Sequence, residues 1–209
     1  MGRRGTRRKK VDVTTRSAVS VVLAARDEAR RIGPAVSALV ASLETVHRPW
    51  EVVFADAASR DGTAAVVERM GRSDIRVLHT NRRTTGAAAR DGVLAATSPI
   101  VVVIDRELTR PFCEIESLVD AIEPGGFDLA VAVVTGSVGR PSPQFLHLFH
   151  HDGHPAQAGM VALRRATATR LVTREDGSAH AVELVQRAER LGLRVANVPV
   201  HDTAVARSA

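Results

Sequence analysis

Val101-Val102-Val103-Ile104-Asp105-Arg106-Glu107 is a run of four β-branched apolar residues that ends abruptly in two carboxylates. Such a run predicts a strand that is buried on both faces, as in a parallel sheet. Because alternate side chains of an extended chain point the same way, Asp105 and Glu107 can aim at one hard cation, and that cation can hold a diphosphate. Arg106 points to the opposite side and need not block the metal, but it can pair with one of the two carboxylates instead. Open α/β sheets bind ligands at this end of their strands, so the stretch predicts a metal and nucleotide site.

On both sides of this stretch, short apolar runs alternate with segments of helical spacing. The predicted strands are residues 18–24, 50–55, 75–78, 99–104, 127–134, 158–163 and 194–198. The predicted helices are residues 32–46, 61–70, 86–96, 111–122 and 179–191, with Asp61 as the N-cap of the second. This βα repeat with short links predicts an α/β fold, a three-layer α/β/α sandwich around a mainly parallel sheet.

The formal net charge of +6 lies entirely in residues 1–16, which hold seven Lys and Arg side chains and one Asp. The rest of the chain is neutral, which argues against a nucleic-acid-binding domain. The basic tail is either a disordered, solubilising segment or a weak contact to anionic lipid. A lone cysteine, Cys113, fits a reducing compartment, and no run of 18 apolar residues predicts a spanning helix. We therefore expect a cytoplasmic protein, with the inner membrane face as the place where the tail would bind.

Five short motifs follow one another along the chain. Residues 19–28 read VSVVLAARDE, residues 56–63 read DAASRDGT and residues 86–92 read GAAARDG. Asp105-Arg106-Glu107 is the fourth, and residues 183–200 contain Glu-Leu-Val-Gln-Arg, a glycine and Val-Pro-Val. In order and content they resemble the V-S-V-V-I-P-A-Y-N-E, D-D-G-S-x-D-G-T, G-A-A-x-x-x-G, D-x-D and closing elements of the family-2 glycosyltransferases of GT-A fold. The closing elements are most similar to those of dolichol-phosphate-mannose-synthase-like members.

The resemblance implies an enzyme that moves a sugar from a UDP- or GDP-linked donor to a small-molecule or lipid-phosphate acceptor. It implies a single GT-A-like domain over residues 18–203, between the basic tail at 1–17 and a frayed tail at 204–209. Within that domain, residues 18–136 would form the nucleotide-sugar-binding half and residues 137–203 the acceptor-side half. The oligomeric state stays open.

Site residues can be carried over by position in the motifs. The candidate nucleotide-binding residues are Ala24, Ala25, Arg26, Glu28, Asp56, Arg82, Gly86, Arg90, Asp105 and Arg106. The resemblance also implies Mg²⁺ or Mn²⁺ on the diphosphate, with Asp105 and Glu107 as ligands and His201 as an additional one. Such a cation neutralises the charge of the departing nucleoside diphosphate, which makes Asp105 a catalytic candidate as well. For Glu28, the alternative is a charge at a helix N-terminus that interacts with the helix dipole.

Several positions depart from the family pattern. Ala57 and Ala58 replace the second Asp and the Gly of D-D-G, and Pro155 stands where the family has another Asp. No obvious general base remains, although an acceptor that is not already an anion needs a carboxylate or imidazole to take its proton. The candidate bases are Asp152, Asp176 and His180.

These departures leave a second hypothesis, a relative that keeps the fold and binds nucleotide or a partner without transferring sugar. A third hypothesis is a nucleotidyltransferase on a related scaffold. That class usually has a glycine- and lysine-rich phosphate loop after the first strand, whereas residues 24–28 contain neither residue type. The sequence therefore favours the glycosyltransferase and its non-catalytic relative.

Overall fold

A computed structural model describes residues 16–104, 115–135, 159–173 and 179–201 of the chain. Five of the predicted site residues lie outside these ranges, namely Asp105, Arg106, Glu107, Asp152 and Asp176. The predicted basic tail also falls outside them, apart from residues 16 and 17.

The described residues form seven strands and six helices. The strands are β1 (Val19–Ala25), β2 (Trp50–Ala57), β3 (Ile75–Thr80), β4 (Ile100–Ile104), β5 (Leu129–Thr135), β6 (Met160–Arg164) and β7 (Val195–His201). The helices are α1 (Ala29–Leu43), α2 (Thr63–Glu68), α3 (Thr85–Ala95), α4 (Ile115–Ile122), α5 (Arg165–Thr173) and α6 (Ala181–Arg190).

All seven strands join one sheet in the order β3-β2-β1-β4-β6-β5-β7. β6 runs antiparallel to both of its neighbours, and every other neighbouring pair is parallel. The C-terminal ends of six strands therefore share one edge of the sheet. At that edge Ala25 of β1 is in register with Asp56 of β2, and Leu23 is in register with Ile104 at the end of β4.

Helices cover both faces of the sheet, which confirms the predicted three-layer α/β/α architecture. On one face, the buried core joins alternate strand residues to α1, α2 and α4. On the other face, the remaining strand residues pack against α3, α5 and α6. β4 faces both layers, since all five of its side chains are buried. This explains why the sequence around Val101 has no polar alternation.

The structure corrects two details of the sequence prediction. α1 begins at Ala29, a full turn before its predicted start, because Arg30 and Arg31 interrupt the apolar spacing without breaking the helix. α5 was not predicted at all, since it contains three threonines and a single strongly apolar pair, Leu171 and Val172. Its helical state comes from burial of that pair and Ala168 against the sheet and not from intrinsic propensity.

The sheet pairs a strand of one predicted half with two strands of the other half. β5 was assigned to the nucleotide-binding half, residues 18–136. It pairs with β6 and β7, which both belong to the other half. The hydrogen bonding of the sheet therefore joins β5 to the second half.

Gly92 lets α3 approach the sheet closely. A Cβ atom at this position would lie 2.6 Å from Cγ1 of Val22 in β1 and 3.5 Å from Cβ of Ala55 in β2. The first distance is well inside van der Waals contact, and both neighbours are fully buried. Gly92 is the last residue of the third motif, so the final glycine of that motif has a packing role.

A second structural feature lies at the opposite edge of the sheet, where the strands begin. The side chain of Arg48 is 1% exposed and donates to Glu123 at 2.8 Å and to Asp120 at 3.1 Å. Burial alone would raise the pKa of Glu123, but hydrogen bonds from Ser17 and Arg48 outweigh it and lower this pKa below its usual range. Through these two carboxylates Arg48 connects the loop before β2 to the C-terminal end of α4.

We predict that Gly92→Ala destabilises the fold by about 1–3 kcal/mol, because the added methyl group overpacks the α3–sheet interface. The free energy of unfolding from urea titration measures this effect. Gly33→Ala in α1 is the matched control, since its new Cβ would have a 3.4 Å contact to Val66 and no closer one. The control should be neutral or stabilising by about 0.5–1 kcal/mol. Equal effects of the two substitutions would contradict the packing role.

We predict that Arg48→Met lowers the free energy of unfolding at pH 7 by about 2 kcal/mol, because charge-assisted hydrogen bonds to partly exposed carboxylates are lost. The pKa of Glu123 is lowered in the folded state, so its contribution is full above the usual glutamate pKa. It is lost as the pH falls through the lowered value. Urea titrations at several acidic pH values should therefore show the difference between wild type and variant shrinking; a difference that is constant with pH would be inconsistent with this pairing.

Candidate functional site

A cavity of about 420 Å³ opens at the edge of the sheet where the parallel strands end. It is lined by Ala24, Ala25, Arg26, Glu28, Arg83, Thr84, Thr85 and His180. Five of these eight were sequence candidates: the four from the end of β1 and the turn after it, and His180. Arg83, Thr84 and Thr85 were missed. Thr84 is the N-cap of α3, so the threonine before the predicted helix was a signal that could have located this wall.

The turn between β1 and α1 forms one wall of the cavity. Asp27 in this turn has a positive φ of 53°, a left-handed conformation that Asp tolerates better than most residues. Nε of Arg26 lies 3.4 Å from Oδ2 of Asp27, and its guanidinium donates to the carbonyl of Arg83. Arg26 therefore connects the β1–α1 turn to the loop before α3. Glu28 is the N-cap residue of α1, and its carboxylate lies 3.5 Å from Nη1 of Arg31.

The loop after β2 caps α1 across the two segments. The backbone amides of Asp27, Glu28 and Ala29 donate to Ser59 Oγ at 3.0 Å, Thr63 Oγ1 at 2.8 Å and Asp61 Oδ2 at 2.9 Å, in that order. In return, the amide of Arg60 donates to Oδ1 of Asp27 at 2.8 Å. The first amides of α1 are thus bonded to side chains of the β2–α2 loop.

The predicted N-cap of α2, Asp61, lies one residue before the observed N-cap. The N-cap position of α2 belongs to Gly62, which has a φ of 86°. One carboxylate oxygen of Asp61 accepts from the amide and the hydroxyl of Thr63, and the other accepts from Ala29 of α1. The hydrogen bond from the Thr63 hydroxyl, followed by that from the Ala29 amide, lowers the pKa of Asp61. This residue therefore caps the first turns of two helices.

Asp56 lies at the end of β2 with one acceptor unused. The residue is 5% exposed, and its Oδ2 accepts from the amide of Ser59 at 3.1 Å. Within the described part of the chain, its buried Oδ1 atom has no hydrogen-bond partner. Leaving a buried carboxylate oxygen unsatisfied is costly, so the position favours a ligand that donates a hydrogen bond. Register places Asp56 beside Ala25, which lines the cavity.

The N-terminal ends of α3 and α6 meet at the cavity. The side chain of Thr84 accepts from the amide of Ala87 and caps α3. The carbonyl of Gly86 accepts from the amide of Ala179 at 2.9 Å, which holds the next residue, His180, against α3. His180 occupies the N-cap position of α6. Because helix N-termini carry partial positive charge, and Arg26 and Arg83 add two cations, this part of the cavity favours an anion.

Two predicted phosphate ligands are placed elsewhere. Nε of Arg82 lies 3.0 Å from Oδ2 of Asp91, and Nη1 of Arg90 lies 3.4 Å from Oδ1 of the same residue. Nε of Arg90 also donates to the carbonyl of Val172 in the last turn of α5 at 2.9 Å. Neither arginine lines the cavity. The structure therefore gives Arg90 the role of joining α3 to α5, and Gly86 joins α3 to the start of α6 through its carbonyl.

The predicted metal ligands are only partly located. Asp105 and Glu107 follow β4 directly but lie outside the described residues. The backbone of His201 ends β7, which is three strand positions from β4, or about 14 Å at the usual strand spacing. This separation does not favour His201 as a ligand of an ion held by the residues after β4. In the described ranges, no three His, Cys, Asp or Glu residues form a group that could hold a metal ion.

Ala57 and Ala58 show what the departures from the second motif do to the backbone. The side chain of Ala57 is fully buried in the apolar cluster that includes Ala88 and Ala89 of α3. An acidic side chain at this position would enter an apolar layer. Ala58 has a positive φ of 53°, a conformation that costs a non-glycine residue free energy.

Comparisons with known sequences match the chain to one family model and to one characterised relative. The sequence profile of "Glycosyl transferase family 2" matches residues 20–179. The glycosyltransferase AglD of Haloferax volcanii is 30% identical over 220 residues, an alignment that covers 96% of this chain. The chain spans 35% of the length of that relative.

Solved structures share the fold at lower sequence identity. Glucosyl-3-phosphoglycerate synthase from Mycobacterium tuberculosis, in complex with Mn²⁺, UDP-glucose and phosphoglyceric acid, superposes with a TM-score of 0.67 and 22% identity over 91% of this chain and 72% of its own. Mannosyltransferase PcManGT from Pyrobaculum calidifontis, in complex with GDP-Man and Mn²⁺, gives a TM-score of 0.61 and 21% identity over 91% of this chain and 57% of its own.

We predict that Ala58→Gly stabilises the fold by about 0.5–1 kcal/mol, because relief of the left-handed strain exceeds the added entropy of the unfolded chain. Urea titration measures the change. Ala41→Gly is the control, since Ala41 lies inside α1, where glycine should destabilise by about 1 kcal/mol. A loss of stability in Ala58→Gly comparable to that of the control would contradict the strained conformation.

Proposed function

The chain belongs to glycosyl transferase family 2, and from this premise we propose that it is a glycosyltransferase that moves a sugar from a nucleotide-sugar donor to an acceptor with the help of a divalent cation. The observation that carries the proposal is the cavity at the C-terminal edge of the sheet, next to the buried, unpartnered Oδ1 of Asp56. Ala24 and Ala25 form an apolar surface, Asp56 offers one buried acceptor, and Arg26 and Arg83 supply positive charge. These groups suit the base, the ribose and the diphosphate of a nucleotide.

The nucleoside would lie on the end of β1. Ala24 and Ala25 offer a flat surface without bulky side chains, and Asp56 in the neighbouring strand offers an acceptor for an N–H of the base or a hydroxyl of the ribose. Because Ser59 already donates to Oδ2, the ligand would complete the hydrogen bonding of this carboxylate through Oδ1. The buried position of the carboxylate makes this hydrogen bond worth more than one in water.

The diphosphate would lie at the N-terminus of α3. Arg26 and Arg83 reach the cavity from opposite sides, and the first turn of α3 adds the positive end of a helix dipole. The equivalent end of α1 is less suited to a phosphate, because the amides of Asp27, Glu28 and Ala29 at this end already donate to side chains of the β2–α2 loop and the first residue of α2. This replaces the sequence prediction that placed Arg82 and Arg90 on the phosphates.

Mg²⁺ or Mn²⁺ would be held by Asp105 and Glu107. Carboxylate oxygens are the ligands that both ions prefer, so the donor set fits. Ile104, which precedes Asp105, is in register with Leu23, one residue before Ala24 in the cavity wall. When bound, the cation would supply Lewis-acid stabilisation of the departing nucleoside diphosphate. The residues that follow β4 would thereby complete the cavity on the side facing away from β2.

Where the acceptor is a hydroxyl, His180 would accept its proton. Among the described residues that line the cavity, only His180 and Glu28 carry an imidazole or a carboxylate, the two groups that most often act as general base. Glu28 lies beside Arg31 at the start of α1, whereas His180 belongs to the wall that closes the cavity from the side of α6. A neutral imidazole at this place can act as a general base.

The relatives indicate the range of donors and acceptors to test. The solved structures named above contain UDP-glucose or GDP-Man, and one also contains phosphoglyceric acid. We propose a UDP- or GDP-linked sugar for this chain, with a small phosphorylated molecule or a lipid phosphate as acceptor. We also propose a cytoplasmic location, with the basic tail as a weak contact to anionic membrane. No helix in the described ranges is long and apolar enough to cross a bilayer.

Ala57 favours a second candidate function. It places a methyl group, packed in an apolar layer, where related sequences have a carboxylate. A protein that binds the nucleotide without transferring sugar would be consistent with this replacement. Turnover separates the two functions, because binding is expected in both and product only in the first.

We predict that UDP or GDP stabilises the chain only in the presence of Mn²⁺ or Mg²⁺, with a gain in unfolding free energy of about 2–3 kcal/mol at a hundredfold excess over Kd. Asp56→Ala should weaken nucleotide binding roughly tenfold to hundredfold, since one buried hydrogen bond is lost. Asp105→Ala should abolish the stabilisation by nucleotide and metal together. Thermal shift measures the stabilisation, and calorimetric titration measures the nucleotide affinity.

The matched control is Asp120→Ala, because Asp120 pairs with Arg48 at the opposite edge of the sheet and should leave binding unchanged. Release of UDP or GDP from the nucleotide sugars, measured with acceptor, then tests transfer, and His180→Gln should slow it. A wild-type chain that responds to neither nucleotide nor metal would refute the proposed function.

A further inference from the structure

The β2–α2 loop contributes no side chain to the cavity wall, yet it is hydrogen-bonded to the turn that does. Asp27 lies between two wall residues, Arg26 and Glu28, and its amide and carboxylate are bonded to Ser59 and to the amide of Arg60. Such reciprocal bonds fix both the position and the direction of a short segment. The direction matters here because the turn contains a left-handed residue that few interactions would otherwise hold.

Thr63 is the central residue of these contacts. Its side chain is fully buried, and its hydroxyl accepts from the amide of Glu28 at 2.8 Å and donates to Oδ1 of Asp61 at 2.5 Å. Asp61 in turn accepts from Ala29 through its other oxygen. One hydroxyl therefore connects the first residue of α2 to the N-cap of α1, and one carboxylate completes the connection.

The same loop also connects the β1–α1 turn to Asp56 of β2. The amide of Ser59 donates to Asp56, and the hydroxyl of Ser59 accepts from Asp27. Displacement of this loop would therefore move the wall and the carboxylate of Asp56 together. The β1–α1 turn and Asp56 are both hydrogen-bonded to this loop, so the distance between them is fixed. A ligand that contacts both is then held in one orientation.

We propose that Thr63 is a positioning residue that fixes the β1–α1 turn, and through it Arg26 and Glu28, in the geometry that binds the donor nucleotide. The expected effect on donor affinity rests on the proposed function. The fixed position of the β1–α1 turn rests on the hydrogen bonds alone. Thr63 does not line the cavity; it acts through the amide of Glu28. The S-x-D-G-T pattern of the second motif then has a physical purpose, since Ser59, Asp61 and Thr63 each cap an amide of the neighbouring turn.

The test compares Thr63→Val with Thr63→Ser. Valine keeps the shape of the side chain but leaves the amide of Glu28 without its acceptor, whereas serine keeps the hydroxyl and loses only a methyl group. We expect the affinity for UDP or GDP with Mn²⁺ to fall about tenfold in Thr63→Val and to stay within about twofold of wild type in Thr63→Ser. Hydrogen exchange of the Glu28 amide should accelerate in the valine variant alone. Asp61→Asn provides a second variant of the same network.

Arg48→Met is the control for stability, because it weakens the fold at the edge of the sheet far from the cavity. It should leave nucleotide affinity and exchange at Glu28 unchanged. Equal affinity of Thr63→Val and wild type, or an equal loss of affinity in Arg48→Met, would overturn the proposal. If the wild-type chain binds no nucleotide, the proposed function fails, and the exchange arm decides the structural part: an amide of Glu28 that stays fully protected in Thr63→Val refutes it.

Discussion

The strands that follow β1 are added to the sheet in opposite directions, β2 and β3 on one side of β1 and β4 on the other, and the site depends on this reversal. α1 leads from β1 to β2 on one side, whereas β4 pairs with the other side of β1. The C-terminal ends of β1 and β4 therefore lie where the strand order reverses, and open α/β sheets have their ligand crevice at such a point. The other components of the cavity are placed relative to this crevice: Asp56 lies one strand away, α3 packs on β1 and β2, and His180 is the N-cap of α6.

Much of this arrangement could be predicted from the sequence. A run of buried β-branched residues ending in carboxylates identified the strand beside the crevice, and the order of the motifs placed Ala24, Ala25 and Asp56 at its border. The buried strand and the place of these residues at strand ends could be predicted because both follow from local pattern and fold class, and their part in nucleotide binding stays a prediction. The family match is consistent with them.

The partners of long polar side chains could not be predicted in the same way. Arg90 occupies a motif position that suggested a phosphate ligand, yet its guanidinium bonds to a carbonyl of α5, a helix that the sequence pattern did not reveal. Asp61 looked like the cap of its own helix and caps α1 as well. In both cases the hydrogen-bond partner is distant in sequence. Neither the periodicity of apolar residues nor the preference for capping residues can identify such a partner.

The antiparallel direction of β6 has a consequence for how such chains diversify. β5 ends and β6 begins at the edge of the sheet that holds the cavity, and the two strands are neighbours. Residues 136–159 thus leave and re-enter the sheet at adjacent points, so their length and composition can change without altering the pairing of any strand. An insertion or deletion in this connection would therefore leave the order of the seven strands unchanged, which makes it a position where chains of this fold can differ in length.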